Sequence, residues 1–245
     1  MKSADVVIVG GGIAGLSAAW LLAREGGRRV LLFEREPVFA SHSSGRNAAI
    51  FRHLDATPGG VELAIRSRTL LDELIGPQGK WLERTGALYV ARSPAALQGM
   101  LGLARQFGIG HALRERSDLE ARVPYLRGGS AAVGLESFDD GVMDIHGICC
   151  ALAEAGRACG AQLISGTEVT EVRAQGGRIE GVRLADGELV HAGTLVLAAG
   201  AWSAGLGQAA SAPLPLQPLR RHVAHLETRP SPPTGLPVVW CVDDE

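Results

Sequence analysis

One stretch near the N-terminus constrains this chain more than any other. Val6-Val7-Ile8-Val9 is a short β-branched run that breaks into Gly10-Gly11-Gly12-Ile13-Ala14-Gly15. A helical pattern, Leu16 to Leu22, follows. β-branched residues suit a pleated strand, and the glycines fall at G-x-G-x-x-G spacing. Gly10 permits a sharp exit from the strand, Gly12 lets a pyrophosphate approach the backbone, and Gly15 lets the helix lie close on the strand. The start of that helix offers free N–H groups and a positive dipole end to an anion. A second apolar run, Arg29-Val30-Leu31-Leu32-Phe33, ends in Glu34, 22 residues beyond Gly12. A carboxylate at that distance meets ribose hydroxyls in a dinucleotide site. A ligand-free glycine turn explains the glycines but not the joint spacing of strand, helix and acid.

Composition narrows the partners. With 46% hydrophobic and 20% charged residues, the chain can bury a sizeable core. Its length of 245 residues suits one large domain or two small ones. A net charge of −2 with no basic stripe argues against nucleic acid. Cys149, Cys150, Cys159 and Cys241 form no C-x-x-C, and no His stands at zinc-site spacing beside them. They read as buried small hydrophobes in a reducing compartment, and no metal site is expected. The first strand begins within a few residues of Met1, leaving no room for a signal peptide, and no apolar run is long enough to span a membrane. The expected location is therefore cytoplasmic, with peripheral membrane attachment left open.

Further along, Ser41-His42-Ser43-Ser44-Gly45-Arg46-Asn47-Ala48-Ala49 reads as a polar loop turning into a helix start, with Ser43 or Ser44 as its cap. Apolar positions at helical spacing predict a helix over 61–75. Strands are predicted at 85–91, 112–115 and 131–136, a helix from Ser93-Pro94 to Phe107, and a capping-box helix from Ser117. Asp139-Asp140-Gly141 reads as a turn. A helix over 145–160 precedes a third parallel strand at 162–165. Strands near 168–174, 178–184 and 188–191 are joined by Gly176-Gly177 and Asp186-Gly187, a hairpin signal that predicts an antiparallel meander. A separate buried strand, Thr194 to Leu197, enters a second small-residue turn, Ala198-Ala199-Gly200-Ala201-Trp202-Ser203. Strands are also predicted at 220–227 and 238–242. Two strand-to-glycine turns with a meander between them suggest a flavoprotein rather than a nicotinamide enzyme of repeated βα units.

The chain resembles the FAD-dependent D-amino acid oxidase-like family, which includes glycine oxidase, sarcosine oxidase and D-amino acid dehydrogenase. The match rests on Val7 to Gly15, Glu34-Arg35, Ser43-Ser44-Gly45-Arg46-Asn47-Ala48-Ala49, Gly141-Val142-Met143-Asp144 and Leu197 to Ser203. The Ser-Gly-Arg-Asn-Ala stretch discriminates it from other dinucleotide enzymes. The resemblance implies an α/β fold: a Rossmann-like FAD-binding domain of the glutathione-reductase type with a β-meander, and an inserted, incomplete α+β substrate domain. The expected boundaries are 1–84 and 141–210 for FAD, with 85–140 and 211–245 for substrate.

Family roles then fall on particular residues. Gly10, Gly12, Ile13, Ala14 and Gly15 are expected to hold the pyrophosphate, and Glu34 with Arg35 the adenosine ribose. Ser43, Ser44, Gly45, Arg46, Asn47 and Ala48 are expected along the flavin side. Val169 is expected to touch adenine through its backbone, and Ala199, Gly200 and Trp202 to close over the middle of the cofactor. Arg52 is the expected catalytic residue, an anchor for the substrate carboxylate; pairing with Asp55 or Glu62 is the competing role. His42 and His53 are candidates for acid–base work or covalent flavin attachment. The position where some relatives attach flavin carries Arg46, so non-covalent FAD is implied. The implied reaction is hydride transfer from the C–N carbon of an amino acid or small amine to flavin N5, followed by imine hydrolysis. The alternatives are an FAD-dependent 2-hydroxy-acid or glycerol-phosphate dehydrogenase and an inactive dinucleotide-binding fragment. The family continues well beyond Asp243-Asp244-Glu245, so the chain reads as truncated. The substrate, the electron acceptor (oxygen or a quinone) and the oligomeric state stay open.

Overall fold

A computed structural model describes residues 2–76, 81–227, 229 and 231–244. The first strand, β1 (Lys2–Val9), leads through the glycines into helix α1 (Ile13–Arg24) and on to β2 (Val30–Phe33). Next come β3 (Ile50–Phe51), α2 (Pro58–Ile75), β4 (Leu82–Glu83), β5 (Ala87–Ala91), α3 (Gln98–Gln106), β6 (His111–Glu115), α4 (Arg116–Arg122), β7 (Val133–Ser137) and β8 (Gly141–Met143). The chain closes with α5 (Ile145–Ala158), β9 (Gln162–Ile164), β10 (Val169–Gln175), β11 (Arg178–Leu184), β12 (Leu189–Leu197), α6 (Ser203–Ala209) and β13 (Val238–Cys241).

By internal contacts the chain divides into two units, 1–47 with 145–222 and 48–144 with 223–245. The first holds a six-stranded sheet in the order β10-β11-β12-β1-β2-β9. β12, β1, β2 and β9 run parallel, and β10 to β12 form the antiparallel meander. Val7, Val9, Leu31, Phe33, Val182 and Val190 build its core on one face. The sequence splits β12 into two strands, but the structure makes it one: Val190 pairs with Val182 on one side and Lys2 on the other, and the strand runs unbroken to Leu197. Gly193 does not break it. The mid-strand glycine sits where an added Cβ would press to 3.2 Å from the Asp5 carbonyl oxygen.

The second unit contains a four-stranded sheet, β13-β5-β7-β6, and a three-stranded one, β3-β8-β4. Because β3 and β4 both pair with β8, residues 48–84 group with this unit rather than with the nucleotide fold, so the boundary expected at residue 84 is not the one the contacts draw. Helix α2 starts three residues earlier than its apolar pattern. Thr57 caps it by accepting the Gly60 N–H, with Pro58 in the first turn.

Several other expectations change. The loop 40–47 makes turns, not a helix start. Helix α4 begins at Arg116, and no side chain caps it, so Ser117 lies inside the helix. Residues 220–227 form no strand and are exposed. Only Cys149 is buried, and burial pushes its thiol up to about 11; Cys150, Cys159 and Cys241 are exposed. No helix among the described residues is long and apolar enough to cross a membrane.

Candidate functional site

The site grows from two adjacent turns. Gly10 N–H donates to the Phe33 carbonyl at 2.9 Å, and Ala198 N–H donates to the Val9 carbonyl at 2.8 Å. Both parallel strands therefore release their chains at the same sheet edge, where ligands bind in such folds. Gly10 has φ +108°, a conformation that side chains rarely take. A Cβ there would also collide with the Ala198 carbonyl, and one at Gly15 would collide with the Gly10 carbonyl. Close passage of α1 over β1 and β12 thus requires both glycines.

Around this edge lies a cavity of about 840 Å³ within the first unit. That volume falls in the range of about 300–1,000 Å³ common for small-molecule and cofactor sites. Of the expected site residues, Gly10, Gly12, Ile13, Ala14, Glu34, Arg35, Ser43, Ser44, Val169, Ala199, Gly200 and Trp202 line it. Gly15, Gly45, Arg46 and Asn47 do not. Gly15 packs beneath the turn, and Asn47 holds the loop by donating from Nδ2 to the Ser43 and Ser44 carbonyls at 3.0 and 2.8 Å. Ala48 and Arg52 belong to the second unit.

The N-terminus of α1 is half satisfied. Ser44 Oγ accepts the Ile13 N–H at 3.0 Å, so Ser44 is indeed a cap, but of a helix that starts 31 residues before it. No protein acceptor among the described residues takes the N–H groups of Gly12 and Ala14, which border the cavity. Orphan donors at a helix start are a ready site for phosphate oxygens. The Glu34 carboxylate is anchored from behind: Oε2 accepts the Gly11 N–H at 2.6 Å and Oε1 accepts the Glu36 N–H at 2.9 Å. Each oxygen has a further lone pair for a hydroxyl. These residues fit a dinucleotide: donors for a diphosphate, a fixed acid for a ribose, and room for rings.

A polar–aromatic group forms one wall. The Arg35 guanidinium lies 3.9 Å from the centre of the Trp202 ring, and the His42 ring lies 4.7 Å from it. Glu36 Oε1 meets His42 Nε2 at 2.9 Å and accepts from Arg35 Nε at 3.1 Å. The His42 contact, helped by Arg35, holds the Glu36 carboxyl below the usual range. The sequence flagged His42 only for acid–base or flavin-linking work; its place here is a packing one against Trp202. Thr167, Glu168 and Thr170 also line the cavity and were missed, although they flank Val169 at the start of the meander.

In the second unit the Arg52 guanidinium stacks 4.2 Å from the centre of the Trp240 ring and forms no ion pair among the described residues, Asp55 and Glu62 included. His53 is buried beside Asp140.

The comparisons with known proteins agree with this geometry. A family model described as FAD dependent oxidoreductase matches residues 5–245. Hydrogen cyanide synthase subunit HcnC of Pseudomonas aeruginosa is 29% identical, with 94% of this chain and 66% of that protein covered. Mitochondrial sarcosine dehydrogenase of Homo sapiens is 27% identical, with 93% of this chain and 26% of that protein covered. The crystal structure of glycine oxidase from Geobacillus kaustophilus superposes with a TM-score of 0.69 at 26% identity, covering 86% of this chain and 59% of that one. The chain thus spans from about a quarter to about two thirds of the length of these relatives. With its glycine turn, Glu34 and its second turn gathered on one cavity and the family model matched over residues 5–245, the chain belongs to the FAD dependent oxidoreductase family.

Proposed function

We propose that this chain carries the FAD-binding part and a portion of the substrate-binding part of an oxidoreductase acting on the C–N bond of an amino acid or small amine. The observation that carries this reading is the single cavity lined by the α1 N-terminus, Glu34 and the turn from Ala198 to Trp202. Bound FAD supplies the acceptor for the hydride that leaves the substrate's amine-bearing carbon, and the released imine hydrolyses in water.

The chain's own residues bind and orient. Gly12 and Ala14 donate to the diphosphate, while Glu34 accepts from ribose hydroxyls. Backbone at Val169 meets the adenine. Ala199 and Gly200 present no bulk and let the chain run close to the cofactor, with Trp202 as an aromatic cover. Gly45, Arg46, Asn47 and Ala48 continue the loop toward the flavin, and Arg46 adds a fixed positive charge there. The position where some relatives attach flavin carries Arg46, which supports FAD held non-covalently. Arg52 offers a planar fork to a substrate carboxylate. The names of the relatives, sarcosine dehydrogenase and glycine oxidase among them, favour a small amino acid or N-methyl amino acid.

Purified protein is expected to be yellow, and acid precipitation should release the colour into the supernatant. Anaerobic addition of D-amino acids, N-methyl amino acids and 2-hydroxy acids in turn should bleach the flavin with an amine substrate. Bleaching by 2-hydroxy acids alone would assign the chain to that dehydrogenase class instead. A colourless protein that takes up no FAD would leave only an inactive fragment.

A further inference from the structure

One buried polar group in the second unit has no part in the account above. Asp140, just ahead of β8, has 0% of its surface exposed. Its Oδ1 accepts twice from one residue, from the His53 backbone N–H at 3.0 Å and from the His53 ring at Nδ1, 2.6 Å. Its Oδ2 accepts from the Tyr89 hydroxyl at 3.3 Å, and its backbone carbonyl accepts the Gly86 N–H at 2.9 Å. The tautomer of His53 follows from its other nitrogen. Arg68 Nη1 lies 3.3 Å from Nε2. A guanidinium can only donate, so Nε2 accepts and Nδ1 carries the proton to Asp140.

A buried carboxylate must be paired and hydrogen-bonded, and that need alone accounts for some of these contacts. It does not account for the double grip on one residue. Backbone N–H and ring N–H of His53 on the same oxygen fix both the main chain and the side chain there. Successive residues of an extended chain face opposite ways. Phe51 and His53 share one side, with the Phe51 ring edge-on to His53 at 5.0 Å and to Trp81 at 5.4 Å. Arg52 is directed to the other, over Trp240.

We propose that Asp140 and His53 are positioning residues for Arg52, holding its guanidinium against Trp240 as a preformed fork for the carboxylate of an amino-acid substrate. This rests on the function proposed above. A clamp two bonds from the anchor matters because a displacement of about 1 Å in a binding group can cost about 100-fold in rate, and precise sites are held by supporting contacts of this kind.

The test compares two variants of similar reach. In His53→Asn the amide nitrogen falls near the position of Nδ1 and can still donate to Asp140. His53→Leu cannot. Acetate, a carboxylate that cannot be oxidised, is titrated calorimetrically into the whole chain, with Arg52→Met as the control that must abolish its binding. His53→Leu is expected to weaken acetate about 10-fold or more, and His53→Asn to stay close to the parent. KM for a carboxylate substrate should rise in step, while kcat for a carboxylate-free amine holds. Equal acetate affinity in both variants and the parent would overturn the proposal. So would equal losses in both, or a parent that binds no acetate through Arg52. Lack of flavin bleaching by any amino acid would instead sink the proposed reaction and leave the acetate result to be read by itself.

Discussion

Ala198 donates its N–H to the Val9 carbonyl at 2.8 Å, and that bond sets the second small-residue turn beside the first. β1 and β12 stay paired up to Val9 and Leu197. The chain therefore leaves the sheet twice at one level, and the cavity begins where both exits meet. The separation in sequence is large, but the parallel register makes the two turns a single surface.

Gly15→Ala tests how tightly that surface is built. The added methyl would be driven into the Gly10 carbonyl and would lie 3.4 Å from the Ala198 side chain. Backbone must shift, since no flexible side chain can yield. Overpacking of this kind costs about 1–3 kcal/mol. The variant is expected to unfold at a lower temperature and to purify with less flavin per chain, measured by thermal melting and the absorbance ratio at visible and ultraviolet wavelengths.

Glu34→Ala removes an acid that two backbone N–H groups already orient, those of Gly11 and Glu36. Losing the proposed ribose contact should cost about 1.4–2.8 kcal/mol, roughly 10- to 100-fold in FAD affinity, and the two donors left without a partner should lower the stability of the fold as well. Fluorescence titration of the apoprotein with FAD checks it. Glu34→Gln is expected to fall between, because an amide oxygen can replace only one of the two acceptors.

Much of this region was readable beforehand because its signals are local. Glycines after a β-branched run, then a helix, then Glu34 at the right distance leave few folds. What stayed hidden depends on residues far apart in sequence. Ser44 has a cap's chemistry, but only the folded chain shows that it serves Ile13. The strands predicted at 188–191 and 194–197 are one, because β1 pairs with both stretches, from Val190 to Leu197. β3 and β4 have two residues each, too few to show any periodicity, so the sheet that places Arg52 and His53 was invisible. Asp140 read as a turn residue; its role is set by His53 and Tyr89, 87 and 51 residues away.

The wall beside Trp202 should loosen in acid. Glu36 is held below its usual value of 4.5, chiefly by His42 and then by Arg35. A carboxyl with a depressed folded value contributes stability above its unfolded value and loses it as pH falls through the lower, folded one. Protonation would free His42 and Arg35 from Glu36 and let both move on the Trp202 ring. The tryptophan emission attributable to Trp202, taken as the difference between the parent and Trp202→Phe, is expected to change as pH falls below 4.5. Emission that is flat across this range would mean the ring does not depend on the Glu36 contacts.

Alkali probes the opposite sign in the second unit. Burial, followed by the charge of Asp140, raises the Tyr89 hydroxyl well above its ordinary 10.0. The unfolded chain then ionises this group first, so the folded form keeps its full stability below about pH 10 and loses it as pH rises further. The slope for one proton is about 1.4 kcal/mol per pH unit. Tyr89→Phe has no hydroxyl to ionise and gives up only the 3.3 Å bond to Asp140. It is expected to start somewhat less stable at neutral pH and then to fall more gently than the parent above about pH 10, so that the two curves converge. Denaturant midpoints measured at intervals through that range decide it: parallel curves would show that Tyr89 ionises as easily folded as unfolded, which its burial against Asp140 does not allow.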